Sequence, residues 1–133
     1  MTKKLDLYRC NICNNIIEVL NAGEGELVCC GSPMEHILAD KNENENLNDK
    51  HVPVIEKVID GYKIRIGSNI HPMTKEHHIQ FIQAISKDEK HVKTKFLTID
   101  DLPELNIKCK CESSLWARAL CNIHGLFKNE FSE

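Results

Sequence analysis

Residues 52–66 read Val52-Pro53-Val54-Ile55-Glu56-Lys57-Val58-Ile59-Asp60-Gly61-Tyr62-Lys63-Ile64-Arg65-Ile66, two β-forming runs flanking Asp-Gly. That dipeptide is the strongest short-range hairpin signal, because a two-residue hairpin turn needs backbone angles that Gly and Asp tolerate. In the second run Tyr62, Ile64 and Ile66 alternate with Lys63 and Arg65, giving one buried and one wet face. Further along, His77, Ile79 and Phe81 are expected on one face of a strand, with His78 and Gln80 on the other. The segments Phe96-Leu97-Thr98-Ile99 and Leu115 to Leu120 suit more strands. Short strands punctuated by turns predict an all-β chain built around an antiparallel sandwich. There is no internal repeat and no long amphipathic helix.

Upstream of the hairpin the pattern changes. Asp40-Lys41-Asn42-Glu43-Asn44-Glu45-Asn46-Leu47-Asn48-Asp49 is polar and low in complexity, and reads as a linker or loop. Asn42 and its neighbours are poor helix formers, since Asn and Asp side chains compete for backbone hydrogen bonds. The expected organisation is a small metal domain at 1–38, then a β domain at 39–133 whose first residues, 39–50, form the linker.

The 133 residues carry a formal net charge of −3, with 28% charged and 5% aromatic residues. No basic excess points to nucleic acid as a partner. No stretch approaches the roughly 20 apolar residues that span a bilayer, and Met1 to Cys10 lacks a signal-peptide apolar run. The expectation is a cytoplasmic protein with no membrane association. Seven cysteines and seven histidines then need a reason. In a reducing compartment an odd cysteine count favours metal ligation over a disulfide framework.

Cys10-Asn11-Ile12-Cys13 is a Cys-x-x-Cys knuckle, followed after residues 14–28 by the adjacent pair Cys29-Cys30. Four thiolates around one ion suit zinc or iron. The intervening Ile16 to Val28 reads as a glycine-turned hairpin. Under 40 residues give too little core for independence, so the metal must supply much of the stability. Zinc ribbons usually close with a second Cys-x-x-Cys, whereas an adjacent pair must splay its side chains. Tyr8-Arg9-Cys10-x-x-Cys13 with Val28-Cys29-Cys30-Gly31-Ser32-Pro33-Met34 resembles desulforedoxin. The resemblance covers about the first 37 residues and implies a single iron on four cysteines, a homodimer, and a one-electron carrier without an open position.

A second set is scattered: His51 opening the β region, His71 at a turn, His77 beginning a strand, and the compact Cys121-Asn122-Ile123-His124 loop. Four imidazoles and one thiolate suit a ferrous centre that acts on a small oxygen species. A structural zinc site would be closed and four-coordinate, and a thiolate opposite an open position pushes electron density toward it. The segments Lys50-His51-Val52-Pro53, Ile70-His71-Pro72-Met73, Glu76-His77-His78-Ile79 and Cys121-Asn122-Ile123-His124-Gly125-Leu126 resemble the superoxide reductase family. Together with the N-terminal segment they resemble its two-iron form, desulfoferrodoxin, over nearly the whole chain.

The resemblance implies an immunoglobulin-like seven-stranded β domain and an iron held by His51, His71, His77, His124 and Cys121. It implies one-electron reduction of superoxide to hydrogen peroxide, with re-reduction by an external donor such as rubredoxin. Lys50 corresponds to the lysine that attracts superoxide. The family's preceding glutamate is replaced by Asp49, one methylene shorter, so Asp49 is expected to cap oxidised iron weakly or not at all. His78, His36 and His91 are expected at the surface. Cys109 and Cys111 are expected as buried free thiols, since a disulfide across an extended strand is geometrically poor. The alternative is a non-catalytic electron-transfer or zinc-binding protein, which leaves the five-residue set without a role.

Overall fold

The computed structural model describes residues 1–39, 45–109 and 114–131, with backbone only at 45–47. The chain divides into two compact units, Met1–Leu38 and Ala39–Glu133.

In the first unit, β1 (Leu7–Arg9) is the centre of a three-stranded antiparallel sheet, flanked by β2 (Ile16–Glu18) and β5 (Glu35–Ile37). A two-stranded ribbon pairs β3 (Val28–Cys29) with β4 (Ser32–Pro33). The expected hairpin across Ile16 to Val28 is therefore not formed. The Cys10–Cys13 knuckle turns the chain first, through Cys10 N–H to the Asn15 carbonyl at 2.9 Å and Asn14 N–H to the Cys10 carbonyl at 2.9 Å. That turn leads β2 back onto β1 before the glycine-containing loop is reached. Only Leu5, Leu7, Cys10 and Val19 are buried apolar residues here, too few to hold such a unit unaided.

The second unit begins with α1 (Glu45–His51). Among the described residues seven strands follow: β6 (Pro53–Val58), β7 (Gly61–Ile66), β8 (Ile79–Ser86), β9 (Val92–Phe96), β10 (Glu104–Lys108), β11 (Leu115–Cys121) and β12 (Gly125–Phe131). They form a β10-β7-β6 sheet and a β12-β11-β8-β9 sheet. Tyr62, Ile64, Ile66 and Leu105 of the first sheet pack against Ile79, Ile82, Ala84, Ala117 and Ala119 of the second, as expected of a seven-stranded sandwich.

Three local expectations are corrected. The first hairpin pairs Val58 with Gly61, so its turn is Ile59-Asp60, one residue earlier than expected. Gly61 is already in β7, where a Cβ would run into the Ile107 carbonyl of β10; the glycine serves close strand approach rather than the turn. In β8 the register slips, because Leu120 pairs with Phe81 but Cys121 pairs with Ile79. The extra residue places Ile79 with Ile82 and Ala84 in the core and leaves Phe81 outside that cluster. Of Phe96 to Ile99, only Phe96 lies in a strand, since the Asp101 carboxylate accepts from Thr98 N–H at 2.8 Å and makes a turn there.

The expected linker is also structured where described, from Glu45 to His51; Asn42 lies outside the described residues. Low propensity is overridden by tertiary hydrogen bonds at the helix end. The Asp49 carbonyl accepts from Asn69 N–H at 3.1 Å and from the Ser68 hydroxyl at 3.2 Å. Gly67 N–H donates to the Val52 carbonyl at 3.1 Å. Among the described residues no helix is long and apolar enough to cross a membrane.

Candidate metal centres

In the first unit the knuckle after β1 and the β3–β4 turn bring four sulfurs together. Cys10, Cys13, Cys29 and Cys30 present Sγ atoms within 4.8 Å of one another, all as free thiols. Cys13 Sγ lies 3.6 Å from Cys29 Sγ, and Cys29 Sγ lies 4.0 Å from Cys30 Sγ. Cys30 and Gly31 both take positive φ, at 54° and 75°, and this turn lets the adjacent pair reach one point. Backbone N–H groups of Cys13 and Ile12 pull the Cys10 thiol down to about 6. Donating to the Cys13 and Cys10 sulfurs holds the proton on Cys29 and pushes its pKa up to about 12, and the same neighbours raise Cys30. Four sulfurs so close cannot all ionise without a multivalent cation between them.

The second cluster draws on five places in the sandwich unit. His51 ends α1, His71 follows the turn after β7, His77 precedes β8, Cys121 ends β11, and His124 sits in the β11–β12 turn. His51, His71 and Cys121 are buried, whereas His77 and His124 are half-buried. Donor atoms of His51, His71, His77 and Cys121 lie within 4.8 Å of one another. His124 Nδ1 completes the group, 3.2 Å from His51 Nε2 and 3.8 Å from Cys121 Sγ.

The four imidazoles form a closed cycle. Successive ring centroids are 4.5 Å apart for His51–His71, 4.6 Å for His71–His77, 5.0 Å for His77–His124 and 4.8 Å for His124–His51. The diagonal from His51 to His77 is 5.9 Å, longer than any side. Phe127 stacks on the His51 ring at 4.6 Å and 26°.

The state of the ring nitrogens marks this as a candidate ligand cluster rather than a core histidine group. The Nε2 atoms of His71 and His77 are buried with no hydrogen-bond partner, an arrangement proteins avoid unless something else satisfies the atom. The other nitrogen of His71 is 2.7 Å from the Pro72 carbonyl, which fixes the proton on Nδ1 and turns the Nε2 lone pair inward. Burial also drives the His71 pKa down to about 4, keeping the ring neutral and able to ligate. Burial lowers His77 as well, followed by the charges of His124 and Lys50. The Lys50 cation is thus felt at the cluster although its side chain is exposed.

A family model for the desulfoferrodoxin N-terminal domain matches residues 2–37, and one for desulfoferrodoxin matches residues 43–130. The chain belongs to the desulfoferrodoxin family. A desulfoferrodoxin from Desulfarculus baarsii is 42% identical over 130 residues, spanning 98% of this chain and 99% of that protein. A superoxide reductase from Pyrococcus furiosus is 32% identical, covering 62% of this chain and 86% of its own length. The crystal structure of the superoxide reductase from Treponema pallidum shares the fold, with a TM-score of 0.74 at 22% identity over 97% of this chain and 99% of that one.

Within that family framework, the remaining polar candidates sort as follows. His36 is exposed, stacked on Tyr8 at 4.8 Å and 3.5 Å from Asp6. His91 is exposed. His78 differs from expectation, being half-buried with Nδ1 3.0 Å from the Thr74 carbonyl. Cys109 is half-buried and disulfide-bonded, not a free thiol. The objection to bonding applied to an extended strand, and β10 ends at Lys108. Cys111 lies outside the described residues. Reading the sequence for ligands overlooked Phe127, Gly67 and Asn122, none of which is a nitrogen or sulfur donor for iron or zinc. Asn122 alone carried a signal, its place inside the Cys-x-x-His loop.

Proposed function

We propose that this chain is a superoxide reductase that converts superoxide to hydrogen peroxide in the cytoplasm and carries iron at both clusters. The observation that carries the proposal is the convergence of two orphaned, buried imidazole nitrogens with His51, His124 and the Cys121 sulfur. Iron at this centre, when bound, supplies the single electron that superoxide takes up, and a donor outside the chain restores it.

The protein's own groups do the rest. His51, His71 and His77 offer Nε2 and His124 offers Nδ1, so four neutral nitrogens and one sulfur form a soft, electron-rich donor set. Cys121 would bind as a thiolate and would push electron density toward a metal held there. The His124 N–H, 3.5 Å from that sulfur, moderates its basicity. Lys50, itself exposed in the last turn of α1, draws the anionic substrate to the cluster. Each superoxide needs one electron and two protons to leave as hydrogen peroxide, and the protons come from solvent at the exposed edge. Asp49 is exposed beside Lys50, and its short carboxylate would cap an oxidised iron weakly or not at all.

The Cys10, Cys13, Cys29 and Cys30 cluster holds the second iron as an electron carrier, because four thiolates leave no position for substrate. A rubredoxin-like protein is the expected donor, and a homodimer the expected assembly. The test is pulse radiolysis of the reduced full chain. Superoxide should disappear with one protein electron consumed for each molecule and no dioxygen evolved. Dioxygen evolution, or no reaction with superoxide, would remove the proposal.

A further inference from the structure

Asn122 lies between the proposed ligands Cys121 and His124, yet its side-chain amide and its backbone N–H point to the chain around a third. Its Oδ1 accepts from His78 N–H at 2.9 Å, and its Nδ2 donates to the Glu76 carbonyl at 3.0 Å. Its own backbone N–H donates to the His78 carbonyl at 3.1 Å. The side chain therefore grips the residues on either side of His77, across a sequence separation of more than 40 residues. Donor and acceptor are unambiguous, because an N–H faces the oxygen and a carbonyl faces the nitrogen.

We infer that Asn122 is a positioning residue that fixes His77 relative to Cys121 and His124. His77 begins its segment outside any strand, since β8 starts only at Ile79, and it sits at the slipped end of the β8–β11 pairing. Ladder hydrogen bonds thus do not hold it. Locally, Thr74 closes a turn: its N–H and hydroxyl reach the His77 carbonyl at 2.9 Å and 3.2 Å, and the His77 N–H reaches its oxygen at 3.1 Å. That turn sets the shape of residues 74–77 but does not tie them to the loop carrying the sulfur. Asn122 does. The task needs one donor and one acceptor on a short planar group, which Asn supplies. Asp keeps the acceptor for His78 N–H but sets a second oxygen against the Glu76 carbonyl. Ala keeps neither.

The inference rests on the reading of the histidine–cysteine cluster as an iron centre, and its test separates the two. In the full-length iron-loaded chain, Asn122→Ala should release second-centre iron to an excess of chelator about 10- to 100-fold faster, the range seen when outer-shell partners of a ligand are removed. The ferric absorption of that centre should shift, while absorption of the four-cysteine centre and the far-ultraviolet circular dichroism stay unchanged. Asn122→Asp should fall between the parent and Asn122→Ala, and it decides the matter alone if the alanine variant does not fold. Parent-like release and an unshifted band would overturn the positioning role. If the parent chain takes up no iron at the second centre, the superoxide reductase reading fails instead. The grip is then read from hydrogen exchange of the His78 amide, faster in the variants if Asn122 holds it and unchanged if it does not.

Discussion

In the proposed mechanism Lys50 links position to chemistry. It stands in the last turn of α1 beside His51, where a cation is favoured by the helix carbonyls, and its charge helps depress the His77 pKa. Lys50→Ala should slow the bimolecular reaction with superoxide by about tenfold at low ionic strength, and flatten its salt dependence. A rate unchanged at low salt would take Lys50 out of the mechanism. His71 sets a second expectation, for the metal-free chain. Its folded pKa of about 4 lies below the unfolded value of 6.5, so the unfolded chain takes up the proton first on acidification. The stability this neutral ring contributes is complete above pH 6.5 and is lost as pH falls toward 4. Urea midpoints of the metal-free protein, followed against pH, should drop through that window, with a smaller drop in His71→Gln.

At the scale of elements, α1 and the turn after β7 depend on each other. Gly67 has a φ of 84°, and a Cβ there would overlap the Asn69 carbonyl oxygen and approach the Lys50 carbonyl oxygen to 2.6 Å. The close approach lets Gly67 N–H reach the Val52 carbonyl, and Ser68 and Asn69 reach the Asp49 carbonyl, which ties the last turn of α1 to the turn after β7. Gly67→Ala should cost at least about 1–2 kcal/mol from the left-handed backbone alone, lower the denaturation midpoint and loosen second-centre iron. Gly23→Ala, with nothing within 4 Å of the added Cβ, should leave both unchanged and serves as the control. Equal stability of the two variants would show that the clasp does not constrain the helix. This clasp also explains why a segment of Asn and Asp becomes helical, which composition alone argues against.

For the whole molecule, two compact units each hold one ligand cluster. Cys13→Ser should bleach the four-cysteine centre and leave the reaction with superoxide in place, because His51, His71, His77, Cys121 and His124 all belong to the second unit. Loss of superoxide reactivity in a variant whose second centre remains folded and iron-loaded would make the first centre essential to catalysis. Metal analysis of the parent should give about two irons per chain. A single zinc would instead favour the non-catalytic alternative.

The side chains that cluster were legible in the order of residues, because metal chemistry restricts donors to a few side chains and short spacings such as Cys10–Cys13 and Cys121–His124 are set by a single turn. Strand alternation in Tyr62 to Ile66 was legible for the same local reason, the two-residue period of the pleat. What needed the folded chain was everything determined between distant segments. The turn moved to Ile59-Asp60 because β10 needed Gly61, and β8 slipped by one residue at Gln80 where it meets the end of β11. A helix formed from poor helix formers because Ser68 and Asn69 held its end. Only tertiary packing could decide these, since each depends on hydrogen bonds and close approaches whose partners lie far apart in the sequence and carry no local pattern.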